Sequence, residues 1–359
     1  MFLHPPTCDA VARPASSRRM QPANDTDTES QPPALSALGI GSALGAPTDQ
    51  EDLAYDKALR RALELGVNHI DTAINYRCQR SERVIGRTLR DLAPRRGTVF
   101  VTTKGGYLPL EAPPPADKAE YREYIKREYL DPGIIDAVDL VAGGHCIAPA
   151  FLRNQVERSI ANLGITSIDI YYIHNPEQQL DAVSRDEFDI RMHAAFATLE
   201  ECVRDGLIRS YGCATWNGLR VPAAAPNHLS IESLVATAND VAGVAHHLVA
   251  VQMPVNLGMM EGVRAPTQIV NGHERTSLEA ADEMGLAMIA VAPLMQGRLA
   301  KDLPAAAREA FPEAKTDAAA ALSFVRMLPS VASVVVGMRD VKHVEENVEL
   351  FSSLLSEPL

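Results

Sequence analysis

Eight times between residues 36 and 352, a short run of β-branched and other apolar residues gives way to a longer stretch of Ala, Leu, Glu and Arg with helical period. That alternation predicts repeated βα units. The strands fall at 36–41, 67–70, 98–103, 168–173, 208–213, 249–252, 287–291 and 332–336, and the helices near 50–65, 80–92, 149–163, 187–205, 229–246, 274–284, 316–328 and 340–352. Helices end at Leu65-Gly66, Leu163-Gly164, Asp205-Gly206 and Met284-Gly285, where glycine can take the left-handed conformation that stops a helix. Each right-handed crossover sets a new strand beside the last, so eight units predict a closed ring. The expected fold is therefore α/β, a (β/α)8 TIM barrel forming one domain over 34–359. An open doubly wound sheet is the alternative, but it needs a reversal of strand order, and no Gly-x-Gly-x-x-Gly follows a strand.

Two segments break the alternation. Residues 1–33 carry six prolines and no apolar periodicity, which predicts a disordered N-terminal arm. Arg13, Arg18 and Arg19 suggest a transit peptide faintly, Asp9 and the prolines argue against one, and Met20 is an alternative start. Residues 106–148 are too long for a simple βα loop. They include Pro113-Pro114-Pro115 and a charged helical run from Lys118 to Leu130, and read as an inserted lid on the side where barrel chemistry occurs. Tyr121, Tyr124, Ile125 and Tyr129 either back a solvated helix or close over a substrate.

Composition narrows the partners. The 359 residues carry a net charge of −12 and no dense Lys/Arg run, so an electrostatic footprint for nucleic acid or an anionic membrane is missing. With no apolar stretch long enough to span a bilayer, the expectation is a cytoplasmic protein with a small-molecule partner; the oligomeric state is left open. The five cysteines, Cys8, Cys78, Cys146, Cys202 and Cys213, are widely spread and predict reduced thiols. Neither His145-Cys146 nor His246-His247 has a second ligand pair at suitable spacing, so no metal site is expected.

In such a barrel the residues just past each strand converge on one rim. The second strand ends in Asp71 with Tyr76 five residues on, the third in Lys104, and the fourth in His174. Together they form an acid/base set. A phenol of pKa about 10 donates a proton near neutrality only if its anion is stabilised, which Lys104 can do. Asp71 would keep the lysine charged, and His174 can hydrogen-bond a carbonyl oxygen. A lysine at a strand end would also serve Schiff-base aldolase chemistry, which borohydride trapping would reveal.

These residues resemble the aldo-keto reductase family. The resemblance rests on Asp71-Thr72-Ala73-Ile74-Asn75-Tyr76, Ser81-Glu82-Arg83-Val84-Ile85-Gly86, Thr102-Thr103-Lys104, Ile168-Asp169 through His174 and Pro176, Gln252, Pro293-Leu294 with Gln296-Gly297, and Glu346-Asn347. The motifs keep their order over about 35–355. The resemblance implies an NAD(P)H-dependent oxidoreductase that reduces an aldehyde or ketone to an alcohol, or runs in reverse. Tyr76 would be general acid or base, Lys104 would lower its pKa, Asp71 would support the lysine and His174 would orient the carbonyl. It implies NADPH as cofactor, with NADH the alternative. Gln252 and Thr215 would lie at the carboxamide, Gly41 and Ser42 near the nicotinamide ribose, and Pro293, Leu294, Gln296 and Gly297 along the loop after strand seven. Gly337, Met338 and Arg339 would follow the adenosine phosphate, with His343, Glu346 and Asn347 at the adenosine.

Departures fall mainly on the cofactor side. Ala214-Thr215 stands where the family usually has Ser-Asn, Val291 replaces a stacking aromatic, Ala292 replaces Ser, and His343 replaces a common basic residue. Arg339 and Lys342 are left as partners for a 2′-phosphate. A weakened carboxamide site also keeps open a non-catalytic nicotinamide-binding sensor or auxiliary subunit, which a Tyr76→Phe substitution would distinguish.

Overall fold

Eight parallel strands close into a barrel in the computed structural model, which describes residues 35–93 and 98–355. The arm expected over 1–33, with Cys8, lies outside the described residues. In chain order the barrel strands are β1 (Leu38–Gly41), β2 (His69–Asp71), β3 (Phe100–Gly105), β4 (Ile170–His174), β5 (Tyr211–Ala214), β6 (Leu248–Pro254), β9 (Ala287–Val291) and β10 (Val331–Gly337). Between β6 and β9 lies a separate antiparallel hairpin, β7 (Gln268–Val270) and β8 (His273–Arg275). The ring closes where β1 pairs with β10, Gly41 opposite Gly337. Closure excludes the open-sheet alternative.

The α-helices in chain order are α1 (Asp49–Glu64), α2 (Arg80–Leu92), α3 (Lys118–Ile125), α4 (Pro149–Leu163), α5 (Arg185–Arg204), α6 (Ile231–Ala242), the short α7 (Glu261–Arg264), α8 (Ser277–Glu283), the short α9 (Ala305–Glu309), α10 (Asp317–Arg326) and α11 (Val341–Leu355). Their starts have local causes: Thr48, Ser184, Ser230 and Thr316 each accept a backbone N–H of the first turn. Gly66, Gly164, Gly206 and Gly285 all take positive φ at or just past helix ends. Apolar faces of helices and strands meet in one continuous core that includes Leu38, Leu59, Ile85, Val156, Phe196 and Phe351.

Two stretches differ from the sequence reading. The helix expected from 274 starts at Ser277, because residues 273–275 pair back onto 268–270 around an Asn271-Gly272 turn with both φ values positive. Thr276 and Glu279 then cap the helix reciprocally. The segment 106–148 holds α3 (Lys118–Ile125), which continues into a wider helical turn over Lys126–Leu130. It has its own small core of Leu108, Tyr124, Ile125, Tyr129, Ile135, Cys146 and Phe151. Tyr124 and Tyr129 both donate their hydroxyls to the Pro109 carbonyl. Their rings meet edge-on at 6.3 Å, and that of Tyr129 also packs on Phe151 and Arg158 of α4, so both are committed to this core. No helix among the described residues is long and apolar enough to cross a membrane.

Candidate active site at the C-terminal rim

The barrel register sets the rim. Asp71 pairs with both Gly41 and Thr102, Lys104 lies opposite Tyr172, and His174, Ala214, Gln252 and Ile289 form one row across four strands. Each strand-end residue therefore arrives at a similar height. Ser42 ties the first two strands together by donating its hydroxyl to Thr72 at 2.8 Å, while its carbonyl accepts the Ser81 hydroxyl.

Lys104 is buried, and its ammonium donates to Asp71 Oδ2 at 2.6 Å and to the Thr72 carbonyl at 2.8 Å. Asp71 Oδ1 accepts from the Thr102 hydroxyl at 2.8 Å and from Gln252 Nε2 at 3.0 Å across the barrel. Every proton aimed at this carboxylate comes from a fixed donor, so the pair is held in one geometry. The ammonium stands 5.4 Å from the Tyr76 ring centroid, and the half-buried Tyr76 ring meets the His174 ring edge-on at 5.8 Å. The structure thus brings together Asp71, Tyr76, Lys104 and His174.

Their electrostatics differ in one respect from the sequence expectation. The Tyr76 phenol is pushed above its ordinary pKa, first by burial and then by the Asp71 charge, instead of being lowered by Lys104. Burial of the phenolate is the larger cause, and Lys104, paired with Asp71 at 2.6 Å, does not outweigh it. Burial likewise lowers the Lys104 pKa against the opposing pull of Asp71. His174 is held well below the usual imidazole range, by burial first and then by Lys104 and His145. It is neutral, and its buried Nδ1 has no hydrogen-bond partner.

The residues expected at a cofactor are less uniformly available. Gly41 and Gly337 face each other at the closing seam. Thr215 donates its hydroxyl to Glu177 at 2.7 Å and accepts the Gly218 N–H at 2.8 Å, which makes it a brace for the loop after β5. Pro293 and Leu294 lead into a tight turn where Gln296 and Gly297 have φ of 56° and 89°. The Met338 side chain is fully buried, and Arg339 is paired with Glu51. On α11, His343 and Glu346 are exposed, Glu346 lies 3.7 Å from Lys342, and Asn347 is buried. A cavity of about 210 Å³ opens among Trp216, Met259, Ala292, Met295, Gln296 and Arg298, at the mouths of β5, β6 and β9.

Sequence reasoning missed several participants. Glu177 is buried and gathers the Thr215 hydroxyl and the backbone N–H groups of Trp216, Asn217 and Gly218 on one carboxylate oxygen. A carboxylate three residues past a strand-end histidine was the available signal. Tyr107 packs edge-on against His174 at 4.9 Å, and Arg298 brings a cation to the cavity. Among the described residues, no cluster of three or more His, Cys, Asp or Glu side chains could hold a metal ion.

A family model described as the Aldo/keto reductase family matches residues 37–358. An uncharacterized oxidoreductase of Schizosaccharomyces pombe is 26% identical over 318 residues, covering 86% of this chain and 77% of that protein. An NADH-specific methylglyoxal reductase of Escherichia coli is 29% identical over 185 residues, 50% of this chain and 48% of its own length. Among solved structures, the holo form of an aldo-keto reductase from Bacillus halodurans superposes with a TM-score of 0.60 at 20% identity, covering 91% of this chain and 89% of that one. An aldo-keto reductase from Klebsiella pneumoniae in complex with NADPH gives 0.58 at 18% identity, covering 89% and 86%.

Proposed function

Because this chain belongs to the aldo/keto reductase family, we propose that it is an NAD(P)H-dependent oxidoreductase interconverting an aldehyde or ketone and an alcohol, with Tyr76 as the general acid or base. The observation that carries this reading is the buried Lys104–Asp71 pair, its ammonium 5.4 Å from the half-buried Tyr76 ring, with neutral His174 edge-on to the same ring at 5.8 Å.

The residues present fit a nicotinamide cofactor. A cavity with Ala292 and Met295 as apolar wall and Arg298 as cation lies beside the loop bearing Pro293, Leu294, Gln296 and Gly297. Gln252, Gly41, Ser42, Gly337, Glu346 and Asn347 would complete its surroundings. We assign NADPH, with NADH as the alternative. When bound, the nicotinamide supplies or accepts the hydride.

The side chains then do the rest. Burial keeps Tyr76 protonated at neutral pH, so the phenol holds the proton that a carbonyl oxygen needs once it becomes an alkoxide. Lys104, 5.4 Å from the ring centroid, is the cation beside the phenolate left behind and offsets part of its burial cost without reversing it, and Asp71 keeps that lysine oriented. A neutral His174 can donate one N–H to the carbonyl oxygen without adding a charge that would trap the product. In the oxidative direction the same phenol receives the alcohol proton.

The test is Tyr76→Phe. Turnover of a carbonyl panel, followed by nicotinamide absorbance, should fall by about 10²–10⁴, the usual worth of a positioned general acid. NADPH binding, followed by fluorescence, should stay within about twofold of wild type, since the substitution touches only the proton source. A variant that keeps the wild-type rate, or a wild type that binds neither nucleotide, overturns the assignment.

A further inference from the structure

We propose that His145, carried by the insertion, is a positioning residue for His174, acting through a one-way hydrogen-bond chain from Arg191 through Gln179 and His145 to the His174 carbonyl. The proposal rests on the reductase reading only in giving His174 its task. The chain itself is geometric.

Its direction is forced at both ends. Arg191 Nη1 can only donate, and it donates to Gln179 Oε1 at 2.8 Å. That leaves the Gln179 amide nitrogen to donate to His145 Nδ1 at 2.7 Å. With Nδ1 accepting, the neutral ring carries its proton on Nε2, which donates to the His174 carbonyl at 2.8 Å, an atom that can only accept. Gln179 and His145 are both buried, so water does not compete for these bonds. The chain crosses three parts of the fold: α5, the turn after β4, and the insertion.

His174 needs such an anchor because its own ring has none. Its buried Nδ1 lacks a partner, so no hydrogen bond from the imidazole sets the ring's angle. What sets it is the backbone and the flanking rings. Tyr107 lies edge-on to both imidazoles, 5.0 Å from His145 and 4.9 Å from His174, and its hydroxyl accepts from Asn175 Nδ2 at 2.9 Å. Gly106 has φ of +139°, and a Cβ there would stand 2.9 Å from the His174 carbonyl and 3.1 Å from His145 Nε2, so only glycine lets the insertion approach this closely. The Cys146 N–H closes the grip on the Gly106 carbonyl at 2.7 Å. The two ends of the insertion hold the end of β4 between them.

The experiment uses the full chain with His145→Leu, which removes both hydrogen bonds at similar volume, and His145→Gln, whose amide can again donate to the carbonyl. For His145→Leu we expect kcat to fall about tenfold or more, with carbonyl KM and nucleotide affinity within about twofold of wild type. His145→Gln should regain at least half of the logarithmic loss. Long-range ¹⁵N–¹H spectra of the imidazoles should show His145 as the Nε2–H tautomer in the wild type and a displaced His174 ring in His145→Leu. If His145→Leu does not fold, Gln179→Met, which frees His145 Nδ1, should lower kcat in the same sense. A kcat within twofold of wild type for His145→Leu, no recovery in His145→Gln, an Nδ1–H tautomer, or an unmoved His174 ring overturns the proposal. The spectra do not depend on turnover, so an inactive wild type with the expected tautomer would refute the reductase reading and leave the chain of hydrogen bonds standing.

Discussion

His69, His145 and His174 are three imidazoles that burial keeps neutral. His69 is lowered to about 4, with Nδ1 on the Ser333 hydroxyl at 2.8 Å and Nε2 on Thr102 at 3.2 Å. His145 is also lowered to about 4. An unfolded histidine titrates near 6.5, so between about pH 6.5 and 4 the unfolded chain binds protons that the folded chain refuses. Stability from these two groups is intact above that window and falls as the pH drops through it, by about 1.4 kcal/mol per unit for each histidine. Glu82, raised by burial, acts in the opposite sense. Thermal unfolding followed from pH 7 to pH 5 should show a falling Tm, and His69→Asn should reduce proton uptake on unfolding by about one. An unchanged slope in that variant would refute the assignment. His174 was legible in the sequence from its place at a strand end, but its neutrality was not, because burial is set by what packs around it.

Helix α2 shows how far a local reading goes. Its span matches the sequence expectation, but nothing local to Ser81-Glu82-Arg83-Val84-Ile85-Gly86 says what Glu82 or Gly86 touches. In the fold, Glu82 is fully buried, accepting from Thr103 at 2.7 Å and Asn162 at 2.9 Å, and so joins α2 to β3 and α4. Gly86 lets the two helices touch: a Cβ there would stand 2.5 Å and 2.7 Å from the carbonyls of Asn162 and Leu163. Gly86→Ala should gain about 1 kcal/mol of helix propensity and lose about 1–3 kcal/mol to overpacking against a backbone that cannot rotate away. We expect a net loss, read as a lower denaturant midpoint; an equal or higher midpoint would count against this contact. The hairpin at 268–275 carried a readable local signal in Asn271-Gly272, yet its short strands sit inside a stretch whose dominant pattern is helical.

Around the whole ring, the first and last units must meet, and two ion pairs span that seam: Arg61 with Glu345 at 2.8 Å and Arg339 with Glu51 at 2.5 Å. The second would bear on cofactor choice if Arg339 is the 2′-phosphate partner that the family resemblance implies, because a guanidinium held by a carboxylate must release it to receive a phosphate. Glu51→Gln should improve NADPH over NADH by about two- to fivefold, the range expected for breaking a partly exposed pair. Steady-state KM for the two nucleotides checks this, and an unchanged ratio would remove Arg339 from the phosphate site.

The eight alternations, the glycine stops, the strand-end positions of Asp71, Lys104 and His174 and the place of Tyr76 in the loop after Asp71 could all be read along the chain, because periodicity, caps and turns are encoded within a few residues. Partners could not. Gln252 reaches Asp71 from 181 positions away, and Arg339 meets Glu51 across 288. The same holds for the electrostatics, since the upward direction of the Tyr76 shift comes first from how deeply the fold buries the phenol and then from the Asp71 charge brought beside it. Local order follows from neighbours in sequence; charge, tautomer and hydrogen-bond polarity follow from neighbours in space, which exist only once the barrel has closed.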